Sequence, residues 1–153
     1  MTRWQSICIA VLPAALGACE THLQASGTYS FTATEILADT CGVLAGSPAL
    51  GTGMLLVSGE VVTLRYQPYA LDLRGFFREA SESFYLDGTA ADVSAAVGTG
   101  QCVFDLVTIH VDGTTQSGTA FDGAMQIRYD SATAAQCRCQ LSVHFHAERI
   151  ASG

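Results

Sequence analysis

The chain has 153 residues, of which 49% are apolar, and a formal net charge of −7 at neutral pH. This length supports one domain with its own hydrophobic core. The acidic balance argues against nucleic acid as a partner and against adhesion to anionic lipid surfaces by charge.

Residues 1–18 have the features of an export leader. Thr2 and Arg3 form a short, positively charged start, and residues 7–16 form an apolar run that only Pro13 interrupts. The run is too short for the roughly 20 apolar residues that span a bilayer, and its length and flanks are typical of a signal peptide. We therefore expect a signal peptide over residues 1–18 and, because Arg3 leaves with it, a mature net charge of −8.

The end of this run resembles the lipobox of bacterial lipoproteins. Residues 16–19 read Leu-Gly-Ala-Cys, and in that family the cysteine is acylated and the leader is cut in front of it. The resemblance implies that Cys19 is a lipid anchor and that the membrane is a partner. Buried acyl chains, at about 0.8 kcal/mol per methylene, would make the anchorage effectively permanent. The alternative is an ordinary secretory signal that leaves Cys19 free.

Residues 19–27 are expected to form the lipidated cysteine and a polar tether in which His22 is solvated. The extended tether reaches at most about 25 Å, which keeps the domain close to the membrane. Glu20 follows the cysteine, where an aspartate favours inner-membrane retention in Gram-negative lipoproteins. The resemblance therefore implies a lipid-anchored location in the bacterial cell envelope, at the outer membrane and facing the periplasm or the cell surface.

Alternation of apolar and polar residues with a period of two dominates from Gly27 onward, and no later stretch has a helical period. A stretch rich in Gly, Pro and Ser over residues 37–51 predicts a long loop that contains Cys41. The eight predicted strands cover residues 28–33, 54–57, 61–66, 71–74, 82–93, 102–111, 117–129 and 137–150.

The same alternation predicts which side chains face the core. The last strand alternates most cleanly, with Leu141 and Val143 on one face and His144 and His146 on the other. The predicted core residues are Phe31, Leu64, Leu73, Phe84, Phe121, Leu141, Val143 and Phe145.

Eight strands with mostly short connections predict an all-β domain over residues 28–153. We expect an antiparallel up-and-down meander closed into an eight-stranded barrel, the count at which a small barrel leaves no exposed edge. Asp-Gly, a strong hairpin signal, occurs at 87–88, 112–113 and 122–123. We place a turn at 112–113. If the other two are also turns, two strands split and a β-sandwich is the alternative.

Four further cysteines follow the anchor: Cys41, Cys102, Cys137 and Cys139. An even number in an exported chain favours disulfides. Cys137 and Cys139 lie on one face of one strand, too constrained to bridge each other, so each should pair with Cys41 or Cys102, in either arrangement. In a meander, even strands start at the rim where odd strands end, which places all four at the rim opposite the tether. A four-cysteine zinc site is the alternative, but no Cys-x-x-Cys pair occurs.

Candidate metal ligands are confined to His110, His144 and His146. His-x-His on a strand is a metal-site pattern in some barrels, and His110 is placed two strands away on the same side. The competing interpretation is a solvated polar face, which we adopt, so we expect neither metal nor cofactor. No Gly-x-Ser-x-Gly elbow, phosphate loop or calcium loop occurs, and Asp105 is expected to point outward. We therefore expect no catalytic residue and a non-enzymatic protein.

The two ends of the meander resemble the lipocalins and the wider calycin family. Gly27-Thr28-Tyr29 opens the first strand and Arg149 closes the last. In that family a Gly-x-Trp on the first strand packs beneath an Arg from the last, and Tyr29 stands here in place of the Trp. The resemblance implies a small-ligand binder or an inhibitor of a secreted enzyme, with the loop around Cys41 bordering the open mouth.

Three functions from different classes remain open. The first is binding of a small apolar ligand or an envelope protein at the cysteine-bearing rim. The second is a structural envelope lipoprotein with a filled core and no ligand, and the third is a metal protein or enzyme that uses the three histidines. We favour the first, because long loops on rigid scaffolds usually carry binding sites. An interior cavity would distinguish the first from the second.

Overall fold

The computed structural model describes residues 22–79, 81–97 and 100–151. Each strand pairs antiparallel with the next and the last pairs with the first, so the sheet closes into a barrel. The strands are β1 (Gly27–Asp39), β2 (Ala49–Ser58), β3 (Val61–Tyr66), β4 (Leu71–Phe77), β5 (Ser83–Val97), β6 (Gly100–Ser117), β7 (Ala120–Asp130) and β8 (Cys139–Arg149). The predicted eight-stranded up-and-down barrel is confirmed, and the sandwich alternative is wrong.

In the part of the chain that the structure describes, two single turns of 3₁₀ helix interrupt the meander, Gln67–Tyr69 between β3 and β4 and Ala135–Cys137 before β8. Within the described residues, no helix has the length and apolar character needed to cross a membrane.

The interior is filled by side chains from alternate positions of every strand. All eight predicted core residues are at most 2% exposed. At the centre, the ring of Phe121 lies 5.3 Å from those of Tyr29 and Phe84, and 5.8 Å from those of Phe31 and Phe145, between centroids. Tilted and edge-to-face rings at these separations attract one another in addition to burying apolar area.

The register of β8 agrees with the prediction. Leu141, Val143 and Phe145 point inward, whereas His144 and His146 lie on the outer face. A slip of one residue would exchange the two faces. The clean alternation of this strand therefore sets its register.

The three Asp-Gly pairs lie inside strands, so the turn predicted at 112–113 is wrong. A β-carbon at Gly123 would stand 2.1 Å from the carbonyl oxygen of Asp112 and 2.9 Å from the ring of Phe145. One at Gly88 would stand 2.4 Å from a methyl group of Leu73. Glycine is required here because backbone and side chains approach closely where the sheet bends into a barrel.

Several predicted connections are shorter than expected. β1 runs on to Asp39 and β2 begins at Ala49, so the loop around Cys41 spans residues 40–48 and not 37–51. β4 continues through Phe77, and β6 continues to Ser117, beyond its predicted end. Pairing with a long neighbouring strand carries these residues into the sheet, although their own sequence does not alternate strongly.

The segment before β1 packs against the barrel, which corrects the prediction of a solvated tether for its described part. The side chain of His22 is 9% exposed, and its ring stacks on Phe77 at a centroid distance of 3.5 Å. Gln24 is 3% exposed and donates a hydrogen bond to the hydroxyl of Tyr29 at 2.6 Å. The amide of Ala25 donates to the carbonyl of Gly118. Residues 22–26 thus cover one end of the barrel, called here the N-terminal rim; Cys19 lies outside the described residues.

Candidate functional site

Two disulfides hold the opposite end of the barrel, called here the cysteine rim. Cys41 is bonded to Cys139 and Cys102 to Cys137, with Cα atoms 5.2 and 5.7 Å apart. The prediction that Cys137 and Cys139 each pair with one of the other two is confirmed, and the structure settles which. The bonds join the start of β6, the loop after β1 and the entry to β8.

The loop over residues 40–48 is fixed on this rim by polar contacts. The carboxylate of Asp39 accepts hydrogen bonds from the amides of Val43 and Leu44 at 3.1 and 3.0 Å. Thr40 bonds to the backbone of Gln140 on β8. Leu44 is 8% exposed, so the loop folds inward over the barrel.

A cavity of about 220 Å³ lies between this loop and the packed core. It borders the inward-facing side chains of β7 and β8, so it occupies the mouth of the barrel. Its lining is Val43, Leu44, Ala49, Leu50, Gly51, Tyr66, Pro68, Tyr69, Ile127, Tyr129 and Leu141. No Asp, Glu, Arg or His belongs to this lining, so the cavity presents apolar surface and phenolic hydroxyls.

Each of the three tyrosines of this cavity makes a hydrogen bond through its hydroxyl. The hydroxyl of Tyr66 donates to the carbonyl of Leu50, and the hydroxyls of Tyr69 and Tyr129 bond to each other. Burial raises the pKa of all three phenols above the usual range, which keeps them neutral. Because one bond between two hydroxyls uses a single hydrogen, the pair of Tyr69 and Tyr129 retains a second hydrogen to donate.

Sequence alone did not single out Tyr69. It belongs to the short 3₁₀ turn that Pro68 starts, and Ala70 ends that turn with a φ of 48°. This left-handed residue carries the chain into β4 and leaves Tyr69 over the mouth. The sequence marks this position by two tyrosines three residues apart, Tyr66 and Tyr69, with Pro68 between them.

The three candidate histidines lie on the outer wall, each beside carboxylates. His110 on β6 contacts Asp87 at 2.6 Å through Nδ1 and Asp112 at 3.1 Å through Nε2. On β8, His146 contacts Asp122 at 2.6 Å, and His144 lies 3.3 Å from Glu35. They share the outer face as expected, but each binds its own partners. Within the described residues, no group of three or more His, Cys, Asp or Glu side chains is arranged to hold a metal ion.

The contacts of His110 affect its protonation. Partial burial opposes the charged form, but the hydrogen bonds to Asp87 and Asp112 and their negative charges outweigh it and raise the pKa of His110. The side chain is 39% exposed, so solvent weakens these interactions.

Asp105, the other unusual polar residue of β6, is exposed as expected. Its carboxylate accepts a hydrogen bond from the amide of Ala132 and so fixes the loop between β7 and β8. Two wider hollows, of about 300 and 670 Å³, lie on the outer wall around β6 to β8 and are lined mainly by polar side chains. Their linings include charged side chains such as Arg128 and Asp122, which the lining of the mouth lacks.

At the N-terminal rim, Arg149 packs against the start of β1. A β-carbon at Gly27 would stand 2.5 Å from its Nε, and Arg149 lies directly opposite Tyr29 across the pair of β1 and β8. These are the residues on which the resemblance to calycins was based. Comparison of the chain with protein-family models, with curated proteins and with solved structures found no significant match in any of the three.

Proposed function

We propose that this chain is a membrane-anchored bacterial lipoprotein whose barrel binds a small, largely apolar ligand at the cysteine rim without chemical conversion. The observation that carries the proposal is the uncharged cavity of about 220 Å³ beneath the disulfide-linked loop. Apolar pockets with a few fixed polar groups are typical of small-molecule sites. The packing of Arg149 on Gly27 supports the calycin-like interpretation of the barrel.

The size and lining of the cavity define the ligand that it suits. An apolar cavity of about 150 Å³ holds benzene, so this one suits a molecule of one or two rings or a short branched chain. The free hydrogen of the pair of Tyr69 and Tyr129 favours one acceptor, such as a carbonyl, ether or hydroxyl oxygen. A charged group would lose its hydration without a counter-ion in this lining.

The proposal is non-enzymatic because the candidate histidines lie on the outer wall and do not line this cavity. His110, His144 and His146 pair with carboxylates on the outer wall, and the cavity contributes only phenols with raised pKa values. Neutral phenols of this kind donate hydrogen bonds but are poor general bases near neutral pH.

Calorimetric titration with 2-naphthol tests the site, because this two-ring probe carries a single hydroxyl. Leu44→Trp fills the cavity from the loop and should abolish binding, whereas Leu37→Trp, on an exposed position of β1, should leave it unchanged. Tyr69→Phe removes the shared hydroxyl and should weaken binding about threefold to tenfold, while Tyr85→Phe on the outer wall should not. Equal binding by all four variants would place the site elsewhere.

The anchor is tested separately with Cys19→Ser. The proposal expects this variant to leave the membrane fraction or to accumulate unprocessed. Retention of the variant in membranes at the mature size would remove the anchor from the proposal and leave the ligand site untouched.

A second candidate function is a structural envelope lipoprotein with no ligand. The dense aromatic core around Phe121, which fills the barrel below the mouth, favours it. Native mass spectrometry of the protein from its own host separates the two candidates, since a ligand adds a defined mass to the protein and the structural role predicts none.

A further inference from the structure

One wall of the barrel exposes apolar side chains close to the N-terminal rim. Met54 and Leu56 on β2, Val61 on β3 and Phe76 on β4 are between 43% and 53% exposed. Val61 lies directly opposite Phe76, and Phe76 directly opposite Tyr85. We call this set, Met54, Leu56, Val61, Phe76 and Tyr85, the apolar wall. Clustered apolar exposure of this kind marks an interaction surface more often than scattered single residues do.

Arginines border the apolar wall. Arg65 lies directly opposite Met54, and Arg74 is the next outward residue from Phe76 on β4. Both are exposed, and Arg65 faces only a solvated partner, Asp72, at 3.7 Å. The planar guanidinium group binds phosphate oxygens with two parallel hydrogen bonds. Apolar side chains beside arginines are the combination that suits the boundary between lipid headgroups and acyl chains.

The opposite side of the barrel differs at the same rim. The outer faces of β6, β7 and β8 carry Asp112, Thr114, Asp122, His146 and Glu148 there. His146 pairs with Asp122, and Asp112 and Thr114 contact His110 and Ser83. The carboxylates beside the apolar wall are of two kinds. Asp72 and Asp87 lie directly opposite Arg65 and Arg74, and Glu60 and Glu82 lie against His22. Among the strand residues described near this rim, the exposed large apolar side chains are those of β2 to β4, and Leu23 and Ile150 beside the strands are also exposed. Ile36, Leu37, Val103 and Leu106 are exposed toward the cysteine rim.

The position of residues 22–26 limits how far this rim can be from an anchor. Only residues 20 and 21 separate Cys19 from His22, so the distance between them is at most about 11 Å. An acylated Cys19 would hold the N-terminal rim within reach of the headgroup layer. Contact then needs no long-range electrostatic attraction, which the mature net charge of −8 would oppose at an anionic surface.

We propose that the outer face of β2 to β4, formed by the apolar wall with Arg65 and Arg74, lies on the headgroup region of the phospholipid bilayer that holds the anchor. This inference rests on the anchored part of the proposed function. It gives the barrel a defined orientation, with Phe76 and Leu56 at the acyl boundary, the arginines at the phosphates and the wall of β6 to β8 facing water.

Single-tryptophan fluorescence tests this orientation. The only tryptophan of the chain is Trp4, and Trp4→Phe removes it. Phe76→Trp and Met54→Trp then report on the apolar wall, and Glu148→Trp, at the same rim on β8, is the matched control. The full chains are reconstituted into phosphatidylethanolamine and phosphatidylglycerol vesicles that contain a brominated phosphatidylcholine. We expect quenched and blue-shifted emission from the first two variants and unquenched emission from the control.

Equal quenching of Phe76→Trp and Glu148→Trp, or none in either, would overturn the docking face. Flotation of the same samples reports the anchor independently. If the chains do not float with the vesicles, the anchor has failed, and the variants are then tethered through an N-terminal hexahistidine to a nickel-chelating lipid. Quenching of Phe76→Trp alone would still support the face in that arrangement, and its absence would reject it.

Discussion

The side chain of Arg149 crosses the seam at which the barrel closes and occupies the space that a β-carbon at Gly27 would need. Such an atom would stand 2.5 Å from Nε and 3.1 Å from Cδ of the arginine. Gly27 is the first residue of β1 and Arg149 the last of β8. The side chain of Arg149 can therefore take this position because residue 27 has no β-carbon.

A double-mutant cycle measures this dependence. Gly27→Ala should lower the free energy of unfolding by about 1–2 kcal/mol, because the stem of Arg149 must move away. In the Arg149→Ala background the same substitution should cost less, with a coupling of about 1 kcal/mol. Urea denaturation of the four proteins gives the values. Additive effects of the two substitutions would show that the close approach of Arg149 to Gly27 does not affect the free energy of unfolding.

Replacement of Phe121 should destabilise the barrel more than replacement of any exposed aromatic residue. Phe121 is fully buried among four other rings, so Phe121→Ala should cost about 4 kcal/mol through lost burial and a residual cavity. Phe76→Ala is the matched control at a site that is 50% exposed, and it should cost about 1 kcal/mol or less. Similar losses in the two variants would contradict the described core.

The two disulfides should contribute unequally to stability. Cys41 and Cys139 are 98 residues apart in sequence, and Cys102 and Cys137 are 35 apart. Loop-closure entropy then gives about 5 kcal/mol for the first bond and about 4 kcal/mol for the second. Denaturation of the paired Cys→Ala variants checks the order. Cys137→Ala alone should leave the thiol of Cys102 free, whereas a new bond from Cys102 to Cys41 or Cys139 would contradict the pairing.

Protonation of His110 should stabilise the fold at low pH. Its pKa is raised in the folded state above the usual 6.5, so its contribution is complete below about pH 6.5 and is lost as the pH rises through the raised value. His110→Gln should therefore destabilise more at about pH 5.5 than at about pH 8.5. NMR titration of the imidazole reports the pKa directly, and Asp87→Asn should lower it. An unchanged pKa in that variant would show that Asp87 is not the cause.

The strands of the barrel could be predicted from the sequence because burial on one face imposes a period of two along every strand. Leu141, Val143 and Phe145 were placed correctly by alternation alone. The cysteines were placed at one rim by topology, since strands of a meander reverse at each turn. Which of Cys137 and Cys139 meets Cys41 depends on side-chain directions at the entry to β8, which no periodicity encodes.

The errors share one physical origin, contacts between residues distant in sequence. His22 was expected in solvent, but Phe77 supplies a ring on which it stacks. Asp-Gly at 112–113 has the composition of a turn, yet Gly113 is needed because a β-carbon would stand 2.5 Å from the ring of Phe84. The mouth was expected near Cys41, but its lining required Tyr69, whose position depends on the turn after β3.

The disulfide pattern has a consequence for the order of folding events. Cys41 and Cys102 are the first two of the four cysteines to be synthesised, and they are not partners in the folded protein. A chain that is oxidised while it is still emerging joins these two thiols first, because the correct partners have not yet been made. Thiol–disulfide exchange must then break that bond after Cys137 and Cys139 arrive. A chain that is oxidised in this order therefore needs an isomerase or a mild thiol in the compartment where it folds.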